Sequence, residues 1–268
     1  MSIQPPLSAQ PDTRGRARIG TPTDLERRVV ALKVVLGCSR ALLRVLGRPR
    51  RTGTLPGSGG VVVAANHVSL LDSLLLGTAV DSAGRVPRFL AARGLWSVPG
   101  LGWVLRRCEQ IPVRRDSERA ADAVPAAVAA AADGQCVVVF PEGRITRDPA
   151  GWPVRARTGA VRIAAAARVP IVPAALWGPN LVMPLGRRLP RPLPRRLMQV
   201  AFGPPVTVGD LLGPGPDGDG DRHAASSATD IRAAADALAD RVDELLATLR
   251  GHVRTGPRVD PRRVPPDR

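Results

Sequence analysis

Apolar residues in this chain fall into short unbroken blocks and longer stretches that repeat at helical spacing. Val61–Ala65 (VVVAA), Cys136–Phe140 (CVVVF), Val169–Leu176 (VPIVPAAL) and Met198–Phe202 are short and rich in branched residues, the pattern of strands buried on both faces. Ile111–Val113 is a shorter run of the same kind. Helical spacing marks Asp24–Gly47, with Asp24 as N-cap and Gly47 as stop, and also Ser69–Val80, Glu118–Ala132, Thr158–Ala167 and Ala228–Leu249. The apolar stretch Phe89–Arg115 reads as helical up to the short strand at Ile111. Strands that alternate with helices predict an α/β sandwich with a largely parallel central sheet, preceded by an amphipathic N-terminal helix. The expected layout is a disordered arm over 1–22, a membrane-interface helix over 23–51 and a catalytic-type body over 52–212. A Gly/Pro/Asp-rich linker over 213–227, a helix over 228–250 and a disordered basic tail over 251–268 follow.

One block breaks the apolar pattern. In VVVAANHVSLLDSLLLG, Asn66 and His67 stand where a core continues, and Asp72 follows five positions after the histidine. Buried polar groups are costly unless paired, so His67 is either a satisfied core residue or the centre of a reaction. Residues five apart on a straight helix are far out of phase. The two side chains therefore meet only if His67 sits on the turn before the helix and Ser69 starts it, in a Ser69-x-x-Asp72 capping box. Asp72 would then accept from Nδ1–H, fix the tautomer and leave Nε2 to take a proton. No G-x-S-x-G motif is present and no cysteine sits on a comparable turn, so the nucleophile would be a substrate hydroxyl.

Charge narrows the partners. The formal net charge is +16, and Lys33 is the only lysine. Such an excess suits an acidic partner: nucleic acid, an anionic membrane surface or a phosphorylated substrate. Aromatics make up 3% of the chain and tyrosine is absent, which leaves little for base stacking, so no nucleic-acid partner is expected. Cys38, Cys108 and Cys136 have no metal-ligand spacing and no disulfide framework, which suits a reducing compartment and predicts no metal. The first twenty residues lack the apolar core of a signal peptide. Within Asp24–Gly47, Lys33, Gly37, Arg40 and Arg44 fall on one stripe of an otherwise apolar helix. Two readings remain open there: an interfacial helix with its cations toward lipid phosphate, or a packed helix with a solvated basic stripe.

Other strand ends carry matching chemistry. FPEG (Phe140–Gly143) follows a strand, with Arg144 and Arg147 close behind, and IPVRR ends another at Arg115. Ligands of open α/β sheets collect beyond the carboxyl ends of the strands, and arginines there suit bidentate phosphate binding. Over roughly residues 60–205 the chain resembles the glycerolipid acyltransferases typified by 1-acylglycerol-3-phosphate acyltransferase. The family's N-H-x4-D block stands as Asn66, His67 and Asp72, and its I-P-V-x-R block as EQIPVRR, with Glu109 in place of glycine. F-P-E-G-T-R-S stands as FPEGRIT, where Arg144 and Ile145 depart and Thr146 stands for the serine. V-P-I-V-P stands as Val169–Pro173, and RTGAVRIA, with Arg157 and Gly159, resembles the family's basic helix start.

The resemblance implies acyl transfer without an acyl-enzyme. His67 would deprotonate the free hydroxyl of a lysophospholipid, with 1-acylglycerol-3-phosphate as the default acceptor. The alkoxide would then attack an acyl thioester of coenzyme A or acyl carrier protein, and no cofactor is implied beyond that donor. Asn66, Arg115, Glu142, Gly143, Arg144, Thr146 and Arg147 would bind substrate, with the arginines on the acceptor phosphate. The expected location is cytoplasmic and peripheral, on the inner face of the cell membrane. Competing readings are a different lipid acceptor, or a non-catalytic basic protein that binds membrane or nucleic acid.

Overall fold

The computed structural model describes residues 24–114, 123–148, 150–187, 189–213, 227–256 and 258, and within the first helix the side chains from Val30 onward. Helix α1 (Asp24–Leu46) runs into strand β1 (Gly47–Thr52), which is followed by β2 (Val61–Ala65), α2 (Asp72–Ser82) and β3 (Pro87–Ala92). A 3-10 turn (Arg93–Ser97), α3 (Leu101–Arg107), β4 (Ile111–Val113), α4 (Val124–Ala132) and β5 (Cys136–Val139) come next. The remaining elements are α5 (Gly159–Ala167), β6 (Ile171–Trp177), α6 (Pro179–Val182), β7 (Arg196–Phe202), α7 (Val208–Leu212) and α8 (Ala228–Arg250).

The seven strands form one sheet in the order β1-β7-β6-β2-β5-β3-β4, parallel except for the antiparallel β6–β7 pair. The fold is thus the α/β sandwich expected, with a helix before it. Unbroken apolar strands follow from burial on both faces. Val61, Val63 and Ala65 of β2 face a core shared with Leu75 and Leu76 of α2 and Leu43 of α1. Val62 and Ala64 face the opposite core, with Ala127 of α4, Ile163 of α5 and Leu238 of α8. Each fully buried leucine or isoleucine here contributes about 1.5–3 kcal/mol.

Three segments differ from the sequence reading. Phe89–Ala92 was expected as helix and lies in β3, where Phe89 packs on the α2 side and Leu90 on the α4 side. Leu, Ala and Arg favour helix locally, and pairing with β5 on one side and β4 on the other overrides that preference. Gly47–Thr52 (GRPRRT) joins the sheet as β1; Pro49 is tolerated because β1 is an edge strand. Residues beyond α8, expected as a loose tail, fold back in part: Arg254 and Arg258 pair with Asp243, and Arg258 also with Asp240.

Candidate active site

The turn after β2 carries Asn66 and His67 to the carboxyl end of the sheet. Asn66 is buried; its amide nitrogen donates to the Leu176 carbonyl at 3.0 Å and its oxygen accepts the Leu176 N–H at 2.7 Å. This side chain, expected on substrate, ties β2 to β6 past the point where their ladder ends. His67 is 8% exposed and Asp72 wholly buried. Nδ1 of His67 lies 2.9 Å from Asp72 Oδ2.

The expected capping box forms only in half. Helix α2 starts at Asp72 itself, whose Oδ2 reaches back to the N–H groups of Val68 at 2.5 Å and Ser69 at 2.7 Å. The Ser69 hydroxyl instead donates to the Met183 carbonyl at 2.9 Å. One carboxylate oxygen therefore holds both the turn and the imidazole. The other, Oδ1, is buried and makes no hydrogen bond. Phe140 stacks on the imidazole, with centroids 4.2 Å apart and planes 14° from parallel, which fixes the ring about its remaining torsion.

Glu142 was expected on substrate. It is buried, and its oxygens accept the N–H of His67 at 2.8 Å and of Val154 at 3.0 Å. Burial pushes its carboxyl up to about 8, against the lowering effect of those two N–H groups. Thr146, likewise expected on substrate, donates its N–H to the His67 carbonyl at 2.7 Å and its hydroxyl to Trp152 at 2.8 Å. The peptide unit of His67 is thus gripped on both sides by the turn after β5. Gly143 holds φ +73°, and a Cβ there would come within 3.0 Å of Arg157 Nε. Arg144 and Arg147 are half-buried on the same turn, while Arg115 lies outside the described residues.

Beside Phe140 opens an apolar cavity of about 250 Å³. Leu90, Val113, Val124 and Ile163 line it, with Arg157 and Arg162 as its cations. Arg162 of α5 was not singled out in the sequence, although RTGAVRIA carries it together with Arg157, which precedes that helix. Among the described residues no group of three or more His, Cys, Asp or Glu side chains could hold a metal.

A second layer holds this turn from outside. The Arg250 guanidinium lies between the rings of Trp152, at 4.3 Å, and Trp177, at 4.1 Å. Arg254 donates to the Pro153 carbonyl, and Arg232 to that of Ala156 at 2.7 Å. Sequence reasoning missed this clasp because its partners come from α8 and the residues after it, far along the chain.

Comparison with known proteins fits this geometry. The Acyltransferase family model matches residues 48–177. A chloroplastic 1-acyl-sn-glycerol-3-phosphate acyltransferase of Brassica napus is 32% identical over 126 residues, 47% of this chain and 35% of that protein. The chain spans about a third of the length of this protein and of its Arabidopsis thaliana counterpart. The 1-acyl-sn-glycerol-3-phosphate acyltransferase of Bacillus subtilis (strain 168) is 28% identical over 153 residues, 56% of this chain and 69% of that one. The crystal structure of the 1-acyl-sn-glycerophosphate acyltransferase from Thermotoga maritima aligns with a TM-score of 0.59 at 25% identity, covering 81% of this chain and 80% of that one. The match to the Acyltransferase family runs from β1 through β6 and takes in every strand and turn that builds the histidine site, and over that stretch the chain resembles 1-acylglycerol-3-phosphate acyltransferases.

Proposed function

We propose that the protein transfers a fatty acyl group from a thioester, acyl-CoA or acyl carrier protein, to the free hydroxyl of a lysophospholipid, with 1-acylglycerol-3-phosphate as acceptor. The observation that carries this reading is the His67–Asp72 pair, with Nδ1 taken by the carboxylate and the ring stacked on Phe140. Nε2 takes the proton of the acceptor hydroxyl while its oxygen bonds to the thioester carbon. The tetrahedral adduct then collapses, the C–S bond breaks, and the thiolate leaves and recovers the proton from the imidazolium. Asp72 stabilises the ring charge through one hydrogen bond, and general base catalysis of this kind contributes on the order of 10²–10⁴-fold. Positioning must supply much of the rest, and the grip of Glu142 and Thr146 on the His67 peptide supports such preorganisation. Arg157 and Arg162 at the cavity suit the acceptor phosphate, together with Arg144 and Arg147, and the apolar walls suit an acyl chain.

Peripheral attachment to a membrane through α1 belongs to the same proposal. No helix among the described residues is long and apolar enough to cross a bilayer. Leu36, Ser39, Leu43 and Leu46 face the body, while Val30, Val34, Leu42 and Val45 are exposed. Lys33 and Arg44 flank that apolar face, whereas Arg40 is paired with Asp81 of α2 and is not available to lipid as the sequence stripe suggested. An exposed apolar face bordered by cations supports an interfacial helix. The test of the chemistry is an assay of the purified protein against a panel of lysolipids, each with acyl-CoA and acyl carrier protein donors. Thiol release that depends on 1-acylglycerol-3-phosphate and vanishes in His67→Ala is the expected result; no release with any pair, or release undiminished in His67→Ala, overturns it.

A further inference from the structure

Between β6 and β7 the chain carries a segment that neither the histidine site nor α1 accounts for. Because β6 and β7 are antiparallel, residues 178–187 and 189–195 lie at the same end of the sheet as the His67 turn. The segment is fastened at both ends. Met183 accepts the Ser69 hydroxyl at 2.9 Å, two residues from His67, and Arg195 donates to the carbonyls of Arg44 and Gly47 where α1 ends. It includes Pro184, Pro190, Pro192 and Pro194, which limit its backbone freedom.

Its side chains have an unusual composition for a soluble loop. Leu181, Leu185, Leu189, Leu193 and Leu197 recur every fourth residue, and all five are exposed. Leu189 and Leu193 are 77% and 78% exposed, more than any other large apolar side chain described. Arg187, Arg191, Arg195 and Arg196 stand among them, exposed as well. No aspartate or glutamate occurs between Asp148 and Asp210. Leu70, in the turn between His67 and α2, is 63% exposed, and Leu101 and Trp103 of α3 are exposed too.

We propose that residues 181–187 and 189–197 are a lipid-contacting surface that seats the carboxyl end of the sheet, and with it the His67 site, against an anionic bilayer. Its arginines match lipid phosphate, and its leucines gain only from an apolar phase. Nucleic acid would reward the arginines and leave the leucines in water, and the loop offers no aromatic ring for stacking. The inference deepens the lipid-acyltransfer reading, because a loop tied to Ser69 would bring a membrane-dissolved acceptor to His67 without its leaving the interface. It adds to α1 a second contact, on a different element.

The experiment places an environment-sensitive fluorophore on Leu189→Cys in the full chain, with Cys38→Ser removing the exposed cysteine; Cys108 and Cys136 are buried. A probe on Ser58→Cys, which is exposed and precedes β2 at the opposite end of the sheet, is the control. With vesicles of phosphatidylglycerol and phosphatidylcholine the probe at 189 is expected to shift to the blue and the probe at 58 to stay unchanged. The double variant Leu189→Ser, Leu193→Ser is expected to weaken vesicle binding about tenfold or more. No shift at 189 on bound protein, equal shifts at both sites, no binding to vesicles, or a shift with duplex DNA in place of vesicles would each overturn the proposal. The readout needs no turnover and is expected unchanged in His67→Ala, so it fails or succeeds separately from the acyltransfer assay.

Discussion

Three N–H donors converge on one oxygen of Asp72, and this couples the shape of the His67 turn to the chemistry of its ring. Asp72→Asn keeps an oxygen for those donors but removes the charge that balances an imidazolium. Its kcat is expected to fall about 10²–10⁴-fold with the acceptor KM little changed, measured by steady-state thiol release. A loss confined to KM would move Asp72 from the base to binding. Glu142 offers a separate test through pH. Its carboxyl is raised from 4.5 to about 8 by burial, so between those values the folded chain holds a proton that the unfolded chain has lost. The stability this contributes is complete below about 4.5 and is lost as pH rises through about 8. Glu142→Gln removes that titration, and its amide can accept only one of the two N–H groups now bound. The variant is therefore expected to be less stable at pH 5, with a flatter decline toward pH 8. Urea unfolding of both proteins across that range checks this, and parallel curves would show that Glu142 does not titrate there.

Elements whose side chains answer one another locally were legible in the sequence, and those held by distant partners were not. The spacing of His67, Ser69 and Asp72 forecast a paired histidine and aspartate on a strand-to-helix turn, because all three lie close together along the chain. Nothing local in FPEG reveals that Glu142 binds the backbone of a residue 75 positions earlier; its burial is a product of the finished sheet. For the same reason GRPRRT, grouped in the sequence with the helix over 23–51, shows itself as a strand only through its pairing with β7. The clasp from α8 is the largest such omission, and it lies outside the family match that ends at residue 177. Arg254, paired with Asp243, holds the Pro153 carbonyl next to Val154, whose N–H binds Glu142. Arg254→Ala is expected to lower kcat about tenfold with little change in KM, since small displacements of a catalytic group cost rate steeply. Arg254→Lys, which keeps a cation for Asp243, is expected to recover part of it. An equal loss in both variants, with a matching drop in the folded fraction, would reduce the clasp to general stability.

At the scale of the whole molecule, the end of α1, the 3-10 turn that follows β3, and the β6–β7 segment all lie at the carboxyl end of the sheet, the end that carries His67. Two free-energy terms with different salt dependence follow for α1. Each cation near an anionic surface contributes about 1 kcal/mol, decaying over a Debye length of ~10 Å at about 0.1 M salt. Withdrawal of Val30, Val34 and Val45 from water adds a part that salt does not screen, at roughly 25 cal/mol per Å². Val34→Asp together with Val45→Asp places acids on the exposed face and leaves Leu36, Leu43 and Leu46 in the core, so the fold is expected to persist. Deletion up to Thr52 would be a poorer test, because it also strips β1 from β7 and uncovers α2. In co-sedimentation with anionic vesicles the native chain is expected to bind more weakly as salt is raised, yet to keep a residual affinity in high salt. The double variant is expected to lose that residue and to release fully. If it retains the same high-salt binding as the native chain, the valine face of α1 is not in the bilayer, and the salt-resistant contact rests on the leucines between β6 and β7.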